Sequence, residues 1–198
     1  MKLVVATFNR DKLSELRALL DLADLELVSL ADVPGATAPR ETGATLEENA
    51  VLKARAARAL TGLGAIGDDT GLEVYALDGA PGVRSARYAG PRATYADNVK
   101  KLLEALRGVP RERRTARFRT VCAACLASGE KLMAEGVIEG IITEAPRGSA
   151  GFGYDPVFEL EGDGRTLAEL KAGEKNRMSH RARAVLGLRK RLEDRIRG

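Results

Sequence analysis

Gly67-Asp68-Asp69-Thr70-Gly71 sets two carboxylates and a hydroxyl between glycines, with apolar runs at 63–66 and 72–77 on either side. At a strand-to-turn junction such a group suits a divalent cation and an activated water. Magnesium prefers hard oxygen donors and usually binds through one or two carboxylates plus substrate phosphate oxygens. The same string is also ordinary turn chemistry, so its weight depends on what else the chain carries. Neighbouring residues of an extended strand face opposite ways. Either the strand ends here and both aspartates turn toward one site, or only one is catalytic. Asp69, beside the turn, is the expected proton acceptor, which must come within about 2.6–3.2 Å of its water. Asp68 would help to bind metal or orient its neighbour.

Three other stretches could act with this one. Thr7-Phe8-Asn9-Arg10-Asp11-Lys12 lies where a strand hands over to a helix, a place where free backbone N–H groups and the helix dipole attract anions. It lacks the glycines of a Walker A loop, and in isolation it reads equally as a polar cap with a solvated lysine. Glu41, in a proline-bounded loop, is a candidate metal ligand, followed by Asn49 and Lys53 on a helix. Near the C-terminus, Gly151-Phe152-Gly153-Tyr154-Asp155 puts an aromatic between glycines, so a planar ring can approach Phe152. Lys175, the single histidine His180 and Arg181 supply a patch of donors able to read a carbonyl oxygen.

The elements that must position these groups follow from periodicity and punctuation. Lys2 to Thr7 reads as a strand running into a helix from Arg10 to Leu22, with Leu13, Leu16 and Leu20 on one face. Leu25 to Leu30 alternates as a second strand. Thr45-Leu46-Glu47-Glu48 is a capping box opening a helix through Leu60. Strands flank the Asp-Asp motif, and Thr94 with Asp97 caps a helix to Arg107. Two long strands lie between Thr115 and Thr143, turning at Ser128-Gly129. A short strand covers Pro156 to Glu159, and a last helix, capped by Ser179, turns Val185, Leu188, Leu192 and Ile196 inward. This order implies an α/β fold with a mixed sheet.

Composition narrows the classes. A chain of 198 residues suits one domain, with two lobes at most. Lys and Arg number 32 against 28 Asp and Glu, a small excess better explained by a solvated surface than by a nucleic-acid footprint. With four Tyr, four Phe and no Trp, a stacking platform for single strands is poorly supplied. Cys122 and Cys125 sit in an expected buried strand, where residues three apart face opposite ways, so free core thiols are favoured over a metal pair. No apolar run approaches a membrane span and no signal-peptide pattern opens the chain, so a soluble, cytoplasmic protein is expected.

Taken in order, these residues closely resemble the inosine triphosphate pyrophosphatase family. The resemblance rests on residues 7–12, Glu41, Glu48-Asn49-Ala50, Asp68-Asp69-Thr70-Gly71-Leu72, Ala80-Pro81-Gly82-Val83 with Ser85-Ala86-Arg87-Tyr88, Phe152 to Pro156, and Glu174-Lys175-Asn176 with Ser179-His180-Arg181. It covers nearly the whole chain, read as a single two-lobed domain over 1–198. It implies an elongated mixed β-sheet flanked by helices, with two lobes around a central nucleotide-binding cleft, usually in a homodimer. It also implies Mg²⁺-dependent cleavage of non-canonical purine nucleoside triphosphates (ITP, dITP, XTP, dXTP) to the monophosphate and pyrophosphate.

By the same match Thr7, Phe8, Asn9, Arg10, Asp11 and Lys12 would hold the triphosphate, with Lys53 as a phosphate partner. Glu41 and Asp69 would be magnesium ligands, Asp69 also the proton acceptor, and Thr70 a substrate contact where many relatives have serine. Phe152, Gly153, Tyr154, Asp155, Lys175, His180 and Arg181 would meet the base and nucleotide. Lys and Arg donors pair well with a purine O6, which hypoxanthine and xanthine present and adenine lacks. Two other readings compete: a Maf-type pyrophosphatase for pyrimidine or modified nucleotides, and a non-catalytic nucleotide- or RNA-binding module.

Overall fold

The computed structural model describes residues 1–197. In chain order the elements are β1 (Lys2–Val5), α1 (Arg10–Leu19), β2 (Glu26–Ser29), α2 (Leu46–Thr61), β3 (Gly64–Val74) and β4 (Pro81–Gly82). There follow α3 (Tyr95–Ala105), β5 (Thr115–Cys125), β6 (Lys131–Ile142), β7 (Phe158–Leu160), α4 (Ala172–Met178) and α5 (His180–Arg197). The seven strands form one mixed sheet in the order β2-β1-β3-β5-β6-β7, with β4 paired to β3. β1 runs parallel to both β2 and β3, whereas β4 and β7 pair antiparallel with β3 and β6. Two compact units divide the chain: Met1–Asp69 with Thr120–Gly136 and Arg181–Gly198, and Thr70–Arg119 with Val137–His180.

In the first unit, β1 is apolar and buried on both faces, as a parallel strand with helices above and below must be. Side chains alternate between two cores. Leu3, Val5 and Ile66 pack with Leu16, Leu19 and Leu20 of the α1 segment and with Val185, Leu188 and Leu192 of α5. Val4, Ala6 and Ala65 face the other way, onto Leu30, which follows β2, and onto Ala57 of α2. Gly67 continues that second face. A Cβ there would lie 2.3 Å from the Ala50 carbonyl oxygen and 3.0 Å from the Lys53 Cβ, so only glycine lets α2 lie this close to β3. In the second unit, Leu72, Val74, Val99, Leu102, Phe118, Ile138, Ile142, Val157 and Phe158 share one apolar core.

Caps behave as the sequence suggests, with one variation. Thr94 and Asp97 form a complete capping box on α3. At α2, Thr45 Oγ1 accepts from the Glu48 amide, but the Glu48 carboxylate accepts from the amide of Ala44 rather than that of Thr45. Several expectations are corrected. The Asp-Asp motif is not at a strand-to-turn junction: β3 runs unbroken from Gly64 to Val74, and residues 75–77 form a short 3₁₀ turn. α1 stops at Leu19, and residues 155–157 are 3₁₀ turn, with the strand beginning at Phe158. α4 was not expected from the periodicity, since seven residues give too little of a helical pattern to read. Ser179 closes α4, its amide bonding the Lys175 carbonyl, and stands immediately before α5. On α5, Val185, Leu188 and Leu192 are buried while Ile196 is only half-buried.

Candidate active site

Because β3 stays extended through the motif, Asp68 continues the face of Ile66 and Asp69 that of Ala65 and Gly67. The two aspartates therefore meet different helices. Asp68 is 2% exposed and turns toward α1 and α5, where its Oδ2 lies 2.9 Å from the Lys12 ammonium and 3.6 Å from the Arg181 Nε. Arg181, equally buried, also pairs with Glu15 of α1 at 2.5 Å. Burial alone would push the Asp68 carboxyl up, but the charges of Lys12, Arg181 and Lys53 outweigh it and hold the group well below the usual carboxylate range. Asp68 is thus held as an anion near neutral pH and engaged with cations, a poor proton acceptor.

Asp69 faces α2. Its Oδ1 accepts from the Lys53 ammonium at 2.8 Å and its Oδ2 from the Asn49 amide at 3.1 Å. Lys53 also reaches the Glu41 carboxylate at 2.6 Å and the Asp68 carbonyl oxygen at 2.9 Å. Burial pushes the Asp69 carboxyl up, against the pull of Lys53, and the net direction is upward. Burial disfavours the Lys53 charge, yet Asp69, Asp68 and Glu41 more than compensate and raise its pKa. Adjacent carboxylates on opposite faces thus differ in chemistry: one is locked as an anion, the other is held more basic.

The strand-to-helix stretch is arranged around its own cap. Asn9 Oδ1 accepts from the amides of Asp11 and Lys12, at 2.9 and 3.2 Å, and Thr7 Oγ1 accepts from the Asn9 amide at 3.1 Å. Phe8, Arg10 and Asp11 are exposed, Thr7 is buried, and Lys12 leans onto Asp68. Thr70 follows Asp69 on β3 and is half-buried.

In the second unit the Gly-Phe-Gly-Tyr-Asp stretch is a tight loop with Gly151 and Gly153 at φ of +73° and +67°. Both glycines are demanded by that backbone. Asp155 Oδ2 accepts from the Phe152 amide at 2.9 Å and from the Lys175 ammonium at 2.8 Å. A Cβ on Gly151 would lie 2.1 Å from that same oxygen. Lys175 in turn lies 4.8 Å from the centroid of the Phe152 ring, and the Tyr95 ring is 6.0 Å from it. Tyr154 is buried and its hydroxyl donates to the Ser85 carbonyl. His180, 3% exposed, stacks on Phe118 at 4.6 Å between centroids.

The first unit therefore brings together Lys12, Glu41, Lys53, Asp68, Asp69 and Arg181. The second unit gathers Phe152, Asp155 and Lys175 into one contact network and sets His180 on an aromatic ring. Glu15 and Tyr95 belong to none of the sequence motifs. Glu15 meets an arginine 166 positions away, for which the sequence holds no signal. Asn49 had one: it stands four residues before Lys53, on the same face of α2. Among the described residues no group of three or more His, Cys, Asp or Glu side chains is placed to hold a metal ion. Glu41 and Asp69 nevertheless direct carboxylate oxygens at one cationic centre, the Lys53 ammonium, a donor set of the kind magnesium takes. No helix among the described residues is long and apolar enough to cross a membrane, and Cys122 and Cys125 are buried free thiols.

The whole chain is also similar to known proteins. The sequence profile of the Ham1 family matches residues 3–191. The dITP/XTP pyrophosphatase of Elusimicrobium minutum is 48% identical over 197 residues, covering 98% of this chain and 100% of its own. That of Symbiobacterium thermophilum is 50% identical over 191 residues, 96% and 94% of the two chains. A solved HAM1 protein from Coxiella burnetii superposes with a TM-score of 0.87 at 42% identity, covering 98% of this chain and 99% of its own. The match runs nearly end to end in sequence and in fold, and the chain belongs to the Ham1 family.

Proposed function

We propose that the protein hydrolyses non-canonical purine nucleoside triphosphates, dITP or ITP and XTP or dXTP, to the monophosphate and pyrophosphate with Mg²⁺. The observation that carries this reading is the convergence of Glu41 and Asp69 on one ammonium, beside a second, cation-locked aspartate. It is supported by the names of relatives about half identical over nearly the full chain.

Glu41 and Asp69 would hold the magnesium ion, with Asp68 close by. An ion held there would neutralise phosphate charge and make the attacking water easier to deprotonate. Asp69, the more basic of the aspartates, accepts the proton of the attacking water. Two roles compete on it, since a carboxylate bound to metal is a weaker base. Lys12 and Lys53 give their charges to the phosphate oxygens, with Thr7, Asn9 and the backbone of residues 8–11 lining that end and Thr70 contacting substrate. Phe152 receives the purine ring, its loop fixed by Gly153, Tyr154 and Asp155. Lys175 and His180 would present donors toward O6, while Arg181, held by Glu15 and Asp68, would fix the Asp68 carboxylate. Adenine would leave such donors unpaired, and sites of this kind discriminate by about 10⁴–10⁵.

The test is a panel of ITP, XTP, GTP, ATP, dTTP and UTP with and without Mg²⁺, scored for pyrophosphate. Turnover of ITP and XTP far above the rest is expected. Equal turnover of ATP, or orthophosphate as the sole product, would refute the reading, and preference for dTTP or UTP would favour a Maf-type activity. The same reading includes a homodimer in the cytoplasm, binding neither nucleic acid nor membrane, checked by sedimentation at micromolar concentration.

A further inference from the structure

We propose that Asn49 is a positioning residue that ties the Glu41 loop to Asp69 and sets the geometry at which those two carboxylates share a cation. Its side chain is completely buried, and both ends are used. Nδ2 donates to Asp69 Oδ2 at 3.1 Å, while Oδ1 accepts from the Gly43 amide at 2.8 Å. The partners dictate which end is which: the carboxylate can only accept and the amide N–H can only donate.

The surroundings make this bond specific. Residues 33–45 have no regular element except their caps, so Glu41 depends on its anchors for a fixed place. Two consecutive amides of that loop are captured from the first turn of α2, Gly43 by Asn49 and Ala44 by Glu48. The loop lies so close that a Cβ on Gly43 would be 2.7 Å from Asn49 Oδ1. Asn49 and Lys53 stand one helical turn apart and take one oxygen each of Asp69, so the carboxylate cannot rotate without breaking a bond. Gly67 allows this by letting α2 approach β3. A neutral donor is the fitting choice at Oδ2. A second lysine would compete for the carboxylates as a cation, and an aspartate could not donate to an ionised partner.

This inference rests on Asp69 and Glu41 acting as proposed above, and its test separates the two. Asn49→Asp keeps an acceptor for the Gly43 amide and removes the donor to Asp69; Asn49→Ala removes both. Replacing an outer partner of a metal-binding group typically costs about 10–100-fold in activity or metal affinity. Both variants should therefore lose kcat for ITP in that range, with KM within about threefold of wild type because the remaining substrate contacts are untouched. Mn²⁺ titration of Asn49→Ala without nucleotide should show weakened binding on the same scale. Thermal unfolding gives a readout independent of activity: the exchanged pair Asn49→Asp with Asp69→Asn restores a donor opposite an acceptor, so it should be more stable than Asn49→Asp alone. Wild-type kcat in Asn49→Asp, while Asp69→Asn is inactive, would overturn the positioning role and leave the site intact. Full turnover in Asp69→Asn would instead remove the reading on which it rests. Should Asn49→Ala fail to fold, Asn49→Asp and the exchanged pair still decide the matter.

Discussion

Replacing Lys53 by methionine keeps the stem and deletes the charge at the centre of the first cluster. The ammonium now makes three contacts, with Asp69 at 2.8 Å, Glu41 at 2.6 Å and the Asp68 carbonyl at 2.9 Å. The Glu41 side chain is 26% exposed, so its share is modest; the Asp69 and backbone contacts are buried. Removing one partner of a buried pair costs about 3–5 kcal/mol, because the other charge is left uncompensated. The lower end applies, about 3 kcal/mol, since Asn49 still holds Asp69 and burial already favours its protonated form. For a chain of this size about 1 kcal/mol corresponds to about 2–4 °C, so the melting temperature should fall by about 6–12 °C in calorimetry at pH 7 without divalent ions. Saturating Mg²⁺ should return most of that loss. Ligand at about a hundred times its Kd contributes about 2.7 kcal/mol, and in the variant the carboxylates no longer share their oxygens with an ammonium. Wild type should gain less from the same ion. A variant melting within about 2 °C of wild type, or equal Mg²⁺ shifts in both, would refute the reasoning.

Three further outcomes are expected. Asp69→Asn should lower kcat for ITP by about 10²–10⁴ while nucleotide binding, measured by calorimetry, is largely kept; undiminished turnover removes Asp69 as proton acceptor. Phe152→Ala should weaken nucleotide binding by about 1–3 kcal/mol if the purine stacks there, and unchanged affinity would assign the ring to packing with Tyr95 and Lys175. The pH dependence of stability has a defined sign. The folded-state pKa of Asp68 lies below the unfolded value of about 3.9, so its pairing stabilises fully above that pH and is lost as pH falls through the folded-state value. Asp69 has the opposite sign, and its ionisation costs stability as pH rises from about 4. Urea midpoints of Asp68→Asn should therefore drop less between pH 5 and pH 3 than those of wild type; parallel curves would contradict the assignment.

Much of this protein could be read from residue order alone. Local signals are strong where one residue type has one conformational use. Thr94 with Asp97 announces α3, the Thr45 cap announces α2, and alternating β-branched and apolar residues announce β1, β5 and β6. Glycines flanking Phe152 already imply a backbone that other residues resist. The set of chemically capable residues was visible too, because carboxylates, lysines and a lone histidine are recognisable by type. Tertiary structure decided which of them act on one another. Whether β3 stops or continues at Asp68 depends on its neighbours in the sheet, not on the five residues of the motif. That continuity sends Asp68 to Lys12 and Arg181, and Asp69 to Asn49 and Lys53. The two aspartates acquire opposite shifts from environments contributed by different helices. Residue type fixes what a group can do, while burial and partner charges, which only the folded chain assembles, fix which proton it keeps.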